Sequence, residues 1–117
     1  MIFRGDDRLE SVRPKPQDGA GEIQGLHYFN AVRPLTGSAF KMCGQMTLPP
    51  GSAIGFHIHH DDEEIYLITA GRGLYTRADG ETEPVAAGDL TLTRKGQGHG
   101  LANNGDEPLV FLAVIAA

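Results

Sequence analysis

Four of the five histidines in this chain of 117 residues fall into two groups, and their arrangement suggests a metal site. His57 and His59 are separated by one residue, and Glu64 follows five positions after His59. In an extended strand, side chains two residues apart project from the same face, so the two imidazoles would point the same way. Two neutral imidazoles and a carboxylate form a facial set of ligands that leaves positions open on a transition metal.

The second group is His99, which lies among glycines at positions 96, 98 and 100. Glycine has no Cβ, so these residues would let the backbone bend sharply and approach a site closely. If His99 lies on a later hairpin of a closed barrel, it would bring a third imidazole to the first group.

The elements that must position these side chains are short strands. The 16 glycines and 7 prolines are spread between short apolar runs, which predicts many tight turns. No stretch of ten residues carries a helical stripe, and about nine short strands at regular spacing indicate an all-β sandwich or barrel. Eight of these strands are given bounds, namely residues 26–33, 38–48, 54–59, 63–69, 74–78, 83–85, 89–93 and 109–115.

The chain is predicted to have two parts. Residues 1–25 are polar and rich in Pro and Gly, so we expect a loop-like arm that lies on the barrel or on a partner subunit. Residues 26–117 would form the barrel. Residues 65–69 and 109–117 lack a clear polar face. We therefore expect the barrel interior to cover these strands on one side and the partner of a homodimer to cover them on the other.

Composition disfavours several classes of function. The net charge is −5, and the only basic pair is Arg94-Lys95, so we expect no nucleic-acid partner. The longest apolar run, residues 109–117, is far short of the roughly 20 residues of a transmembrane helix, and the acidic N-terminus is unlike a signal peptide. A single cysteine, Cys43, agrees with a reducing compartment. We expect a cytoplasmic protein with no membrane partner.

The spacing of these residues resembles the two sequence motifs of the cupin superfamily. The first motif, G-x5-H-x-H-x3,4-E-x6-G, is matched by Gly51, His57, His59, Glu64 and Gly71. The second motif, G-x5-P-x-G-x2-H-x3-N, is matched by Gly88, Gly96, His99 and Asn103. Arg94 stands where the second motif usually has proline, which places a charged side chain near the mouth of the expected barrel.

This resemblance implies a cupin-type double-stranded β-helix, a jelly-roll barrel of two antiparallel sheets that is usually dimeric. It also implies one divalent transition metal, which would be Mn, Fe, Ni, Co or Zn. The ligands that the motifs imply are His57, His59, Glu64 and His99.

Several neighbours of these residues have other interpretations. Glu63 is the alternative to Glu64 as a ligand, but strand alternation sends it to the opposite face, and the motif spacing favours Glu64. His60 has the wrong parity for ligation and is expected at the surface or in a supporting position. Asp61 and Asp62 are interpreted as solvated turn residues.

The leading hypothesis is a metal-dependent enzyme that acts on a small organic substrate, of dioxygenase, decarboxylase or isomerase type. The alternative is a non-catalytic barrel that binds a small molecule or a metal. Three imidazoles and one carboxylate would leave two adjacent positions open in an octahedral geometry. A decarboxylase or isomerase also needs a proton donor besides the ligands. The candidates are Tyr66, His27 and Glu63, and the default interpretation of His27 is a partly buried, hydrogen-bonded histidine.

Overall fold

Ten strands make up most of the structure, a computed structural model that describes residues Met1–Ala117. The strands are β1 (Leu9–Pro14), β2 (Glu22–Phe29), β3 (Phe40–Leu48), β4 (Ala53–Ile58), β5 (Glu63–Ala70), β6 (Arg72–Thr76), β7 (Thr82–Ala86), β8 (Leu90–Thr93), β9 (Gly98–Ala102) and β10 (Leu109–Ala116). Two 3-10 turns, Gly5–Asp7 and Pro16–Asp18, are the helical elements. Neither has the length or the apolar composition that a membrane crossing by a helix requires.

The strands form two antiparallel sheets. The wide sheet has the order β1-β2-β3-β10-β5-β8, and the narrow sheet has the order β4-β9-β6-β7. Along β5 the buried side chains of Glu64, Tyr66 and Ile68 alternate with more exposed ones, as a strand with one inward face requires. Both sheets contribute to one core, made of Ile23, Met46, Leu48, Ile54, Tyr66, Ile68, Tyr75, Leu101, Leu109, Phe111 and Ala113. The prediction of an all-β fold with two antiparallel sheets is confirmed.

The predicted strands correspond to β2 through β8 and β10, with boundaries that differ by a few residues. Strand β9, which carries His99, was not predicted because its glycines weaken a strand signal. Within β9, Gly98 lies close to β4: a Cβ there would lie 2.4 Å from the ring of Phe56 and 3.0 Å from the backbone oxygen of His57. The preceding turn uses Gly96 with φ of +83°. The predicted close approach and sharp bend at these glycines are therefore found.

The expectation that residues 1–25 are loop-like is wrong in two stretches. Leu9–Pro14 forms β1 at the edge of the wide sheet, and β2 begins at Glu22, so a boundary after residue 25 falls inside β2. β1 pairs with β2 over its whole length. These residues are nearly all exposed, so the partners that order β1 are backbone groups, which a reading of side-chain patterns does not reveal. The predicted contact of this segment with a partner subunit stays a prediction.

The connection between β1 and β2 is tied to the narrow sheet. Pro16 is buried, and Ala20 exchanges two backbone hydrogen bonds with Ala53 at the start of β4, of 3.0 and 2.9 Å. The non-glycine residues with positive φ all lie in this connection, and they are Lys15, Gln17 and Asp18. Such conformations persist where the surrounding structure fixes them, and here the contacts of Pro16 and Ala20 hold the connection against the barrel.

Candidate metal centre

The four residues predicted as ligands come together between the two sheets. On the narrow sheet, His57 of β4 lies directly opposite His99 of β9 in the strand register. His59 follows the end of β4, and its backbone is fixed by hydrogen bonds to Gln97 (2.9 Å) and Gly96 (2.6 Å). Glu64 reaches the same point from β5 of the wide sheet and is buried. The ligand atoms of the four side chains lie within 4.8 Å of one another.

The imidazoles meet through the same ring nitrogen. The Nε2 atom of His99 lies 3.1 Å from Nε2 of His59 and 3.2 Å from Nε2 of His57. Oε1 of Glu64 lies 3.2 Å from Nε2 of His59 and 3.1 Å from Nε2 of His99. Three nitrogens and one carboxylate oxygen are therefore gathered at one point, which we call the donor cluster (His57, His59, Glu64, His99).

The opposite ring nitrogens are held by other partners. Nδ1–H of His57 donates to the carbonyl oxygen of Gly55 (2.8 Å), and Nδ1–H of His59 donates to Oδ1 of Asp62 (2.6 Å). Nδ1 of His99 shares a hydrogen bond of 2.9 Å with Oγ1 of Thr93. In the neutral rings, a proton on Nδ1 of His57 and of His59 leaves Nε2 of each as the nitrogen that can bind a metal.

This donor set fits a transition metal. Histidines that bind metals hold their second nitrogen by just such hydrogen bonds to carboxylates or carbonyl groups, which fix the ring and its tautomer. Three imidazole nitrogens with one carboxylate suit Mn, Fe, Co, Ni or Zn rather than a hard, oxygen-loving ion such as Ca²⁺. The four donor atoms lie close enough together to bind one such ion.

The electrostatics of the cluster point the same way. The hydrogen bond to Glu64, reinforced by Asp62, raises the pKa of His59 to about 9 despite partial burial. Burial alone would raise the pKa of Glu64, but its hydrogen bonds to His59 and His99 lower the pKa below the usual value. The pKa of His57 is lowered, chiefly by burial. The two carboxylates thus draw positive charge into the cluster.

A cavity of about 110 Å³ opens beside the donor cluster, and we call it the metal cavity. Its other walls are mainly apolar and come from β2, β3, β4, β5 and β10. Arg13 of β1 and Gln17 of the β1–β2 connection complete the wall. The hydroxyl of Tyr66 lies 3.4 Å from Nε2 of His99, with the two rings stacked at 4.8 Å.

The candidates for a further catalytic role are placed differently. Tyr66 is buried in the metal cavity, and burial raises its pKa well above the usual value, so its hydroxyl keeps its proton. His27 is buried and bonded to Oγ of Ser11 (3.1 Å), outside the metal cavity. Glu63 is exposed on the other face of β5, as strand alternation predicted, and His60 is also exposed.

Two residues near the cluster were missed by sequence reasoning. Asp62 was interpreted as a solvated turn residue, but it accepts the hydrogen bond of His59 and lies 3.4 Å from Nζ of Lys41. Arg13 lies in the stretch expected to be a loop-like arm, and it lines the metal cavity. Its position next to Ile23 in the β1–β2 register explains this, and no signal in its own spacing pointed to it. Arg94, by contrast, is exposed in the turn before β9.

A strand-built barrel with an inward cluster of three histidines and a glutamate defines a cupin. A family model described as a cupin domain matches residues 44–115, and the chain therefore belongs to the cupin family. This confirms the predicted double-stranded β-helix fold.

One similar protein matches the chain over most of its length. The chain is 36% identical over 115 residues to an oxalate-binding protein of Thermotoga maritima. The aligned region covers 98% of this chain and 93% of that protein. The crystal structure of a predicted oxalate decarboxylase from Thermotoga maritima has a TM-score of 0.87 at 32% identity, with 99% of this chain and 98% of that chain covered. A gentisate 1,2-dioxygenase of Ralstonia sp is 35% identical over 86 residues, which is 74% of this chain and 24% of that protein.

Proposed function

We propose that this chain holds one divalent transition metal through the donor cluster and binds a small organic acid beside it. The observation that carries the proposal is the convergence of three Nε2 atoms and one carboxylate oxygen within 4.8 Å, with the Nδ1 side of every imidazole already bonded. The oxalate-binding relative supports an acid of the oxalate type as ligand.

The residues around the cluster supply the rest of an acid-binding site. A bound divalent ion would supply Lewis acidity to the oxygens of the acid. Arg13 brings a second positive charge to the wall of the metal cavity, and guanidinium groups recognise carboxylates well. The hydroxyl of Tyr66 keeps its proton and serves as a hydrogen-bond donor. The apolar walls exclude water and strengthen both interactions.

The catalytic version of the proposal is a decarboxylase-type or dioxygenase-type enzyme. Splitting oxalate into carbon dioxide and formate breaks the carbon–carbon bond and consumes one proton. One observation favours the alternative, a non-catalytic binding barrel: apart from the donor cluster, Arg13 and Tyr66 are the titratable residues lining the metal cavity. A guanidinium and a phenol of raised pKa are poor proton donors near neutral pH.

The test compares untagged wild-type protein with His99→Ala and with His60→Ala, a matched control at an exposed histidine beside the cluster. Each is loaded with Mn²⁺, freed of excess metal and measured by elemental analysis, and oxalate binding is measured by calorimetry. We expect near-stoichiometric metal and oxalate binding in the wild type and in His60→Ala, and loss of both in His99→Ala. Wild-type protein that takes up neither Mn²⁺ nor, in parallel loadings, Fe²⁺, Co²⁺, Ni²⁺ or Zn²⁺ would overturn the proposal.

A second measurement separates enzyme from binding barrel. Metal-loaded protein is incubated with oxalate under air, and the remaining oxalate, formate and carbon dioxide are quantified. Release of carbon dioxide by the wild type, but not by His99→Ala, would identify an enzyme. Oxalate that is bound and recovered unchanged would identify the binding barrel.

We also propose that the chain forms a homodimer through the outer face of the wide sheet. Ile65, Leu90 and Leu92 are exposed there, and the register places Leu92 beside Ile65 and Leu90 beside Leu67. Val114 of β10 continues the row on the other side of Ile65. A contiguous apolar patch of this kind is typical of an interaction surface, and a second copy would bury it.

Light scattering on the wild type and on Leu92→Glu tests the dimer. We expect a dimer in the wild type and a monomer in the variant, because a buried unpaired carboxylate is costly. A wild type that is monomeric at all concentrations used would contradict the proposal.

A further inference from the structure

Beyond the metal cavity, the inner face of the wide sheet continues into a larger cavity of about 530 Å³. We call this cavity the outer chamber; the residues that line it alone include Ser11, Val12, His27, Ala31, Val32 and Lys41. The two cavities also share wall residues, namely Arg13, Ile23, Met42, Met46 and Ile115. The metal cavity and the outer chamber are therefore adjoining compartments along one wall.

The His27 ring, which lines the outer chamber, packs against two glycines. A Cβ at Gly25 would lie 2.5 Å from Nε2 of His27 and 2.6 Å from Oγ of Ser11. A Cβ at Gly44 would lie 3.0 Å from Nδ1 of His27. The His27 ring therefore occupies space that side chains at positions 25 and 44 would otherwise fill.

The charges around the outer chamber leave one cation free. Lys41 is paired with Asp62 at 3.4 Å, and burial together with the charge of Arg13 lowers the pKa of His27, which favours the neutral ring. Arg13 has no carboxylate within ion-pair distance and lies at the junction of the two cavities. A free guanidinium at this junction is a binding site for a carboxylate, which it holds through two parallel hydrogen bonds.

The remaining walls of the outer chamber are largely apolar. Val12, Ala31, Val32, Met42 and Ile115 are among the apolar residues that line it. Apolar walls with a few placed polar groups are typical of sites for small organic ligands. Oxalate has no apolar part and would leave these walls exposed to water.

We infer that the acid bound by this protein is a 2-oxo or 2-hydroxy carboxylic acid whose apolar side chain lies in the outer chamber. This inference rests on the proposed metal centre, because the neighbouring oxygens of such an acid would be directed to the donor cluster. The carboxylate then faces Arg13, and the side chain extends along Met42 and Ile115 toward Val32. Arg13 is a specificity-determining residue in this arrangement.

The test uses Mn²⁺-loaded protein and calorimetric titration with oxalate, pyruvate and phenylpyruvate. Phenylpyruvate carries a phenyl group that pyruvate lacks, so we expect it to bind about tenfold tighter or more in the wild type. Ala31→Trp and Val32→Trp fill the outer chamber from exposed positions. Each should remove the advantage of phenylpyruvate over pyruvate while leaving the metal content unchanged.

Arg13→Met should weaken pyruvate and phenylpyruvate alike by about tenfold or more, since it removes a charged hydrogen-bonding partner, without loss of metal. Arg72→Met, at an exposed arginine of β6 outside both cavities, is the matched control and should change neither affinity.

The outcomes separate this inference from the function on which it rests. If the wild type binds metal but none of the three acids, the proposed acid-binding function fails. If it binds oxalate and pyruvate while phenylpyruvate binds no tighter than pyruvate, the outer chamber is not a substrate site. An advantage of phenylpyruvate that survives both tryptophan variants would also overturn the inference.

Discussion

Two buried histidine environments lie on the inner surface of this barrel, and they differ in what surrounds the rings. In the donor cluster, each imidazole has Nδ1 bonded to a neighbour and Nε2 directed to a common point. His27 is similarly buried, with 8% of its surface exposed, but Nε2 is bonded to Ser11 and Nδ1 has no partner. Burial alone does not distinguish a candidate metal ligand, whereas convergence of several donor atoms does.

The charges near the two environments differ as well. Glu64 and Asp62 raise the pKa of His59 to about 9. Burial and the charge of Arg13 lower the pKa of His27. The first environment favours a positive charge, and the second favours a neutral ring. Arg13 lies at the junction of the two cavities, which suits a ligand that carries negative charge at one end.

The largest expected effect is the loss of metal affinity on substitution of Asp62. Asp62→Ala removes the acceptor that holds Nδ1 of His59, and loss of such a partner typically weakens metal binding about 10–100-fold. The matched control is Lys41→Met, which removes the other partner of Asp62 but leaves the bond to His59. Because an exposed ion pair contributes little, we expect this control to change metal affinity by no more than about fivefold. Competition with a chromophoric chelator measures both affinities.

Equal affinities for Mn²⁺ in Asp62→Ala and in the wild type would contradict this prediction. That result would mean that the orientation of His59 is fixed by its backbone hydrogen bonds to Gln97 and Gly96 alone.

A smaller effect is expected from two threonines of β8 that receive the same substitution. Oγ1 of Thr93 joins the hydroxyl of Tyr75 (3.1 Å) to Nδ1 of His99 (2.9 Å), whereas the buried Oγ1 of Thr91 has no partner. Thr93→Val leaves two buried polar groups without that partner and should lower the free energy of unfolding by about 1–3 kcal/mol. Thr91→Val removes an unsatisfied hydroxyl and should leave this free energy unchanged or raise it.

Urea denaturation of both variants and the wild type measures the difference. Two variants that lose stability equally would show that the Thr93 bridge adds nothing to the support of His99.

Sequence reasoning identified the four residues of the donor cluster because their signal is local or lies in family spacing. His57 and His59 share a strand face, and the motif spacing selected Glu64 over Glu63. The structure brings these residues together with His99, and their role as ligands stays a proposal. The all-β fold was predictable for a similar reason, since turns and short apolar runs recur along the chain.

The missed features depend on contacts between distant parts of the chain. Arg13 reaches the metal cavity only because β1 pairs with β2 through the backbone, and nearly every residue of β1 is exposed. Asp62 was misjudged because a turn residue can bend back toward its own strand, which parity does not describe. β9 was missed because its glycines weaken the strand signal, and the close approach of Gly98 to Phe56 is a contact between strands.

The smallest predicted effect concerns the pH dependence that His27 adds to stability. Because burial lowers the pKa of His27 in the folded chain, the unfolded chain takes up a proton first as the pH falls through about 6.5. Protonation therefore favours unfolding in this range, and the effect is absent at higher pH. His27→Gln removes the group, so its free energy of unfolding relative to the wild type should improve between pH 7.5 and pH 5.

Chelator-treated samples of both proteins, unfolded with urea at several pH values, give this difference without a contribution from metal release. Other histidines, including His57, titrate in both proteins and cancel in the comparison. A difference that does not change with pH would mean that the folded chain accommodates a charged His27 as readily as water does. In that case the contrast between the two histidine environments would reduce to hydrogen-bond geometry.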